Sequence, residues 1–262
     1  MRQALFFDID GTILSEITKE IPQSTFRALS KAKENGHLLF INTGRTRCTL
    51  PIKITEMPFD GFLCGCGIFL TYRDEIFYKK NLPSARADAI AKMAGECRID
   101  GVFEGVEDVY FSKFASRFED IEALRTKMKK RGLGQKRYLE EGGCAYDKMY
   151  VMTDNKSDKE SFFHFIERDL DIIDRENGAY ECVPKGCSKA TAIQMVLDKF
   201  HLSREQSYVF GDSENDLAMF RYAGHAIAME KHSTALDPYT EFVTKAVEED
   251  GIDYAMKKFR LI

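Results

Sequence analysis

Ala4-Leu5-Phe6-Phe7-Asp8-Ile9-Asp10-Gly11-Thr12 is the stretch from which the rest of the chain can be read. Its four-residue apolar run has no polar face, the pattern of a buried parallel strand with helices packed above and below it. Asp8 and Asp10 follow at i and i+2, where extended backbone puts them on one face and turns Ile9 away. The C-terminal edge of an open α/β sheet is where ligands usually sit. Two neighbouring carboxylates repel unless a proton or cation neutralises them, and an all-oxygen set suits a hard ion such as magnesium. A solvated acidic turn is the plainer alternative for two such acids alone.

Working outward, Phe26, Leu29 and Ala32 recur at helical spacing between Pro22 and Asn35, with Pro22 suited to a first turn and Gly36 to a C-cap. His37 to Asn42 returns as a strand ending in Thr43-Gly44-Arg45, and Gly61 to Cys64 offers a third. Strand and helix therefore alternate as in a doubly wound sheet. After Gly67 the pattern changes: Ile68 to Tyr72 and Ile76 to Tyr78 read as a hairpin leading out of the core, where an insertion would begin. Between about Leu82 and Pro184 the chain reads as an α+β unit, with helices over Ala85 to Cys97, Phe118 to Arg131 and Lys159 to Leu170 and strands between them. Beyond it, a helix from Lys189 to Phe200, a strand from Ser207 to Phe210, a helix from Glu214 to Tyr222 and a strand from His225 to Ala228 resume the first alternation. The expected organisation is an α/β protein with a Rossmann-like parallel sheet core in two segments, 1–81 and 185–262, and an inserted cap over 82–184.

Phe210-Gly211-Asp212-Ser213-Glu214-Asn215-Asp216 repeats the opening arrangement, an apolar strand delivering acids as a helix begins. Capping explains one acid; three acids with Asn215 exceed what a cap needs. Thr43-Gly44 offers a hydroxyl and backbone amides, donors suited to phosphoryl oxygens. Lys189 opens a helix after Pro184-Lys185-Gly186 and can add positive charge. In sequence order these pieces resemble the haloacid dehalogenase superfamily: DxDGT, a strand-terminal Thr, a Lys, then GDxxND. The run from Pro184 to Lys189, Ala226-Ile227-Ala228-Met229 and Glu249-Asp250-Gly251-Ile252 is similar to the Cof-type branch, subfamily IIB, whose large α+β cap of the C2 type lies between the second and third motifs.

The resemblance implies a phosphatase of small metabolites that works through a phospho-aspartate, with sugar phosphates the expected substrates. Asp8 would be the nucleophile and Asp10 the general acid and base. Asp8, the backbone carbonyl of Asp10 and Asp212 would hold Mg2+, with Asp216 in support, while Thr43, Gly44, Lys189 and Asn215 would serve the phosphoryl group, Asn215 by holding either Lys189 or a phosphate oxygen. Arg45, Glu104 and Glu107 are candidate substrate contacts. The loop Glu104-Gly105-Val106-Glu107-Asp108 has a glycine and acids suited to a polar loop that bonds hydroxyls, or to an ordinary solvent-facing turn. Gly65-Cys66-Gly67 stands where Cof-type proteins often carry Asn-Gly-Ala, so a substrate contact from Asn is missing; Ala190 replaces a common Gly, and Glu230-Lys231 a frequent Gly-Asn. Two rivals are a phosphomutase, against which the short fourth motif argues, and a non-catalytic metabolite-binding protein, against which the retained Asp8 and Asp10 argue.

Composition bounds the reading. The 262 residues are 44% hydrophobic and 31% charged, as in folded globular proteins, and 38 basic against 42 acidic residues lack the excess that drives nucleic-acid binding. Seven cysteines without paired CxxC spacing read as buried thiols. The N-terminus lacks signal-peptide character, and no apolar run approaches the roughly 20 residues of a membrane helix. A cytoplasmic protein acting on a small phosphorylated metabolite is expected, with no membrane, nucleic-acid or obligate protein partner.

Overall fold

Ala4, Leu5, Phe6 and Phe7 are fully buried in the computed structural model, which describes all 262 residues. This strand, β1 (Ala4–Phe7), lies inside an eight-stranded sheet. It pairs in parallel with β2 (Leu38–Asn42) on one side and β11 (Ser207–Gly211) on the other. Outward from β2 come β3 (Gly61–Cys64), in parallel, then β4 (Phe69–Tyr72), antiparallel, and β5 (Glu75–Lys79) at the edge. Outward from β11 come β12 (His225–Ala228) and β13 (Phe242–Val243), both parallel. The chain thus winds in opposite directions from the β1–β11 pair, which makes its C-terminal end the switch-point crevice of a doubly wound sheet.

The hairpin expected to lead out of the core instead completes this sheet. Arg73 and Asp74 at its turn both have positive φ, 47° and 67°, the conformation that two-residue hairpin turns need. Helix α1 (Gln23–Glu34) buries Thr25, Ala28, Leu29 and Ala32, while Phe26 is 45% exposed. Sequence spacing had assigned Phe26 to the buried face; Thr25, Ala28, Leu29 and Ala32 form the i, i+3, i+4, i+7 stripe, and Phe26 lies beside it. A short α2 (Ile52–Thr55) follows β2, and the C-terminal α8 (Gly251–Lys258) pairs with α1. On the other side of the fold's sequence order, α6 (Lys189–Phe200) and α7 (Leu217–Tyr222) bury Ile193, Val196, Met219 and Phe220 against Phe6, Phe40 and Val209. The helix expected from Glu214 begins as a 3-10 turn over Glu214–Asp216 before α7.

The chain divides into two compact units, one of Met1–Arg45, Leu50–Tyr78 and Cys187–Ile262, the other of Thr46–Thr49 and Lys79–Gly186. The second unit has a five-stranded antiparallel sheet in the order β7 (Val109–Tyr110), β6 (Asp100–Glu104), β8 (Lys148–Met152), β10 (Ala179–Pro184), β9 (Leu170–Asp174). Strand alternation sends Phe103, Met149 and Val151 to one face, packed with Ile90 of α3 (Ser84–Glu96) and Phe162 of α5 (Lys159–Ile166). Val102 and Met152 go to the other, packed with Ile121 and Met128 of α4 (Glu119–Lys130). Helix α5 ends four residues before the expected Leu170, which already belongs to β9.

Residues 46–49 belong with this unit for identifiable reasons. Cys48 Sγ donates to Gly105 O (3.3 Å), and Arg131 Nη1 donates to Thr49 O (2.9 Å). Sequence order alone had placed them in the core. Because the units have separate apolar cores, damage to one should remain local. Phe103 is fully buried and meets Tyr146 edge-on at 4.9 Å. Phe103→Ala should destabilise the second unit by about 3–5 kcal/mol. Hydrogen exchange should show lost protection in α3, α5 and β6–β10 with β1, β2 and β11 unchanged; uniform loss across both sheets would contradict separate cores.

Candidate active site

Asp8 leaves β1 at the switch point, its amide donating to Phe210 O at 3.0 Å, so the β1–β11 ladder carries it one residue past the strand. Ile9 is fully buried, and its carbonyl accepts the amides of Thr12, Ile13 and Leu14, closing a tight turn. Gly11 in that turn has φ +77°, and a Cβ on it would lie 2.3 Å from Asp212 Oδ2. Only glycine permits both the conformation and the approach. Thr12 Oγ1 donates to Asp212 Oδ1 at 3.0 Å, joining the first motif to the fourth. Gly211 plays the same part from β11, since a Cβ there would meet Asp216 Oδ2 at 2.6 Å.

Lys189 is the first residue of α6, held in place by a capping box between Ser188 and Thr191. It is 1% exposed, and its Nζ donates to Asp8 Oδ1 (2.7 Å), Asp216 Oδ1 (2.5 Å) and Asn215 Oδ1 (2.9 Å). An ammonium has three protons, and these three partners account for them. Of the two roles considered for Asn215, the structure places its oxygen on Lys189. Asp216 commits Oδ2 as well, to the amides of Asp212 (3.0 Å) and Ser213 (3.1 Å), so its carboxylate orients the loop.

Ligand oxygens of Asp8, Asp212 and Asp216 lie within 4.8 Å of one another. At that spacing each pair of charges repels by about 3–4 kcal/mol at an effective dielectric of about 20, more than a typical hydrogen bond contributes. Burial pushes Asp8 up to about 6, with Asp216 adding to the rise and Lys189 opposing it. Burial, then Asp8 and Asp216, push Asp212 up to about 7. Burial alone would lower the Lys189 ammonium, but Asp216 and Asp8 outweigh it and hold Lys189 protonated. Three carboxylates against one ammonium leave two negative charges, and the donors are all oxygen. The residues present therefore fit a hard divalent cation.

Thr43 follows β2, is 2% exposed, and accepts the Arg45 amide on its Oγ1 at 3.2 Å. Gly44 lies between them. Arg45 grips Asp10 through Nε to Oδ2 (2.6 Å) and Nη2 to Oδ1 (2.7 Å), a bidentate pair that sequence reasoning did not anticipate. Asn42, also unanticipated, is fully buried and donates to Lys189 O at 2.9 Å, tying the second motif to the third. Gly65, Cys66 and Gly67 all have positive φ, and a Cβ on Gly67 would meet Ser188 O at 2.6 Å. Cys66, the middle residue of the stretch that stands in place of Asn-Gly-Ala, is buried. Glu104, in the second unit, accepts weakly from Thr46 Oγ1 at 3.5 Å; Glu107 is exposed.

Comparisons with known proteins agree with this geometry. A family model described as haloacid dehalogenase-like hydrolase matches residues 5–256. The Bacillus subtilis (strain 168) protein YkrA, provisionally named as a phosphatase, is 30% identical over 98% of both chains. The 5-amino-6-(5-phospho-D-ribitylamino)uracil phosphatase YitU of the same organism is 25% identical over 96% of this chain and 95% of its own. A solved structure described as the HAD subclass IIB sugar phosphatase BT4131 superposes with a TM-score of 0.81 at 26% identity, covering 99% of this chain and 100% of that one.

The raised carboxyls give a signed pH dependence. Asp8 and Asp212 carry protons in the folded, metal-free protein up to about pH 6 and 7, whereas unfolded aspartates lose them near about pH 3.9. Their contribution to stability is therefore fullest below about pH 4 and is lost as pH rises towards about 7. Magnesium, which needs these groups deprotonated, should raise the melting temperature much more at about pH 8 than at about pH 5.5. Equal shifts at both values would contradict a proton-loaded site.

Proposed function

The chain belongs to the haloacid dehalogenase-like hydrolase family, in its Cof-type branch, and is a phosphoric monoester hydrolase; from that premise we propose a magnesium-dependent sugar phosphatase working through a phospho-aspartate on Asp8. The observation that carries the reading is Asp8 itself, a buried carboxylate at the switch point held by Lys189 at 2.7 Å. An Asp8 oxygen attacks phosphorus in line while the bond to the alcohol oxygen breaks. Asp10 delivers its proton to that departing oxygen, then takes one from the water that attacks the acyl phosphate and frees Asp8. Arg45 fixes the direction in which Asp10 presents its oxygens. Lys189 offsets the charge crowded around Asp8, and Thr43 with the Gly44 amide supplies donors to phosphoryl oxygens.

Asp8, Asp212 and the Asp10 carbonyl would hold the magnesium ion, with Asp216 orienting the loop that carries Asp212. When bound, the ion would neutralise charge on the phosphoryl oxygens. Of the relatives described above, one is named as a sugar phosphatase and another for a substrate with a phosphorylated ribityl chain, both polyhydroxylated carbon skeletons. That shared chemistry supports a sugar or polyol phosphate, with Glu104 and Glu107 bonding its hydroxyls and the second unit acting as a specificity cap over residues 82–184. Six of the seven cysteines are buried and no helix is long and apolar enough to cross a membrane. A cytoplasmic setting completes the reading.

Steady-state hydrolysis of p-nitrophenyl phosphate and a panel of phosphosugars tests it. Asp8→Asn should lower kcat by at least about a thousandfold on every substrate, and chelation by EDTA should abolish turnover that added magnesium restores. Full activity in EDTA, or substantial turnover by Asp8→Asn, would sink the mechanism. A kcat/KM ranking headed by flat aromatic nucleotides in place of phosphosugars would sink the substrate class.

A further inference from the structure

The second unit contains a recess of about 210 Å³ whose lining includes Lys79, Asn81, Ser84, Glu107, Tyr110 and Asp147. It lies entirely within one unit and shares no residue with the Asp8 centre. Its volume is below the roughly 300–1,000 Å³ of drug-sized ligand sites, so it suits a small occupant. Asp147 is the informative member. Only 5% of it is exposed, its carboxylate accepts one hydrogen bond, from the Leu82 amide (3.0 Å), and no ion pair reaches it. Lys79, in the same recess, acts on this carboxylate only from beyond ion-pair distance, and burial pushes Asp147 above the usual carboxylate range; elsewhere in this unit a buried carboxylate is paired directly, Glu181 taking both Lys148 (2.5 Å) and Arg175 (2.6 Å).

The charges around the recess decide what fits. Glu107 and Asp147 against Lys79 leave it acidic, which disfavours a phosphate or carboxylate ligand. A simple cation would use the two acids but face Lys79 and leave the side-chain donors of Asn81, Ser84 and Tyr110 with nothing to bond. Hydroxyl groups both donate and accept, and so can serve acids, amide, ammonium and phenol together. We propose that this recess binds a small neutral polyhydroxylated molecule, with Asp147 and Glu107 accepting from its hydroxyls and Asn81 and Lys79 donating to them. Two sources share that chemistry: the organic part of the phosphorylated metabolite, and a free sugar or polyol acting as an effector.

Isothermal titration and saturation-transfer NMR with glucose, ribose and ribitol test the proposal on the full chain. The wild type should bind at least one, and Glu107→Gln, an exposed change that leaves the fold intact, should weaken binding by roughly tenfold, as loss of a charged hydrogen-bond acceptor does. Asp147→Asn, checked for an unchanged melting profile, should weaken it at least as much. If the source is the metabolite, Asp147→Asn lowers kcat/KM for the phosphosugar and spares p-nitrophenyl phosphate; if it is an effector, the free sugar changes turnover of both substrates in the wild type and not in Asp147→Asn. No binding by the wild type, or binding unaltered in both variants, overturns the proposal. Failure of the wild type to hydrolyse p-nitrophenyl phosphate would count against the phosphatase reading and leave the binding result standing.

Discussion

The rest of the structure is arranged around one electrostatic problem, the crowding of Asp8, Asp212 and Asp216 within 4.8 Å in a crevice where Asp8 and Asp216 are buried. Lys189 relieves part of it, and its Nζ gives a proton to each of Asp8, Asn215 and Asp216. Such a network is a poor stabiliser by itself, because desolvating the ions offsets most of their attraction. Its value lies in what remains, two uncompensated negative charges and carboxyls pushed well above their usual range, which a divalent cation would relieve. A stable hydrophobic arrangement of the same volume would have no such demand.

The demand explains otherwise separate backbone features. The acids come close because β1 and β11 are neighbours whose next elements run in opposite directions, and because Gly11 and Gly211 let carboxylates rest where a methyl group would collide. Thr12 bridges to Asp212, and Asn42 bridges from β2 to the first carbonyl of α6. Four segments distant in sequence are thus locked to each other by side chains that never need to touch a substrate. Arg45 extends the arrangement to Asp10, so the proposed proton carrier is oriented from the same strand end that presents Thr43.

Much of this centre was legible in the sequence because Asp8 and Asp212 each stand directly after an apolar strand, a position that topology converts into proximity. The parallel core followed from runs such as Ala4 to Phe7, buried on both faces. What escaped was set by tertiary partners. Phe26 looked like a core residue until the Thr25, Ala28, Leu29 and Ala32 stripe claimed the buried face of α1. Residues 46–49 belong to the second unit through Cys48, Thr49 and Arg131, contacts that span more than fifty positions. The Arg45–Asp10 pair and the isolated carboxylate of Asp147 likewise carry no local signature, since arginine after Thr-Gly and aspartate before a strand are ordinary in themselves.

The central claim is that Asp8 becomes covalently phosphorylated, and the most direct measurement is rapid-quench mass spectrometry of an Asp10→Asn variant mixed with p-nitrophenyl phosphate and magnesium. That ester's leaving oxygen needs little protonation, so the first step should proceed while hydrolysis of the acyl phosphate, lacking its base, is slowed. The account predicts a protein heavier by one phosphoryl group, with the modification mapped to Asp8 and absent from Asp8→Asn. Nitrophenol release by Asp10→Asn with no phosphorylated protein at any quench time, or with the phosphoryl group on another residue, would contradict it.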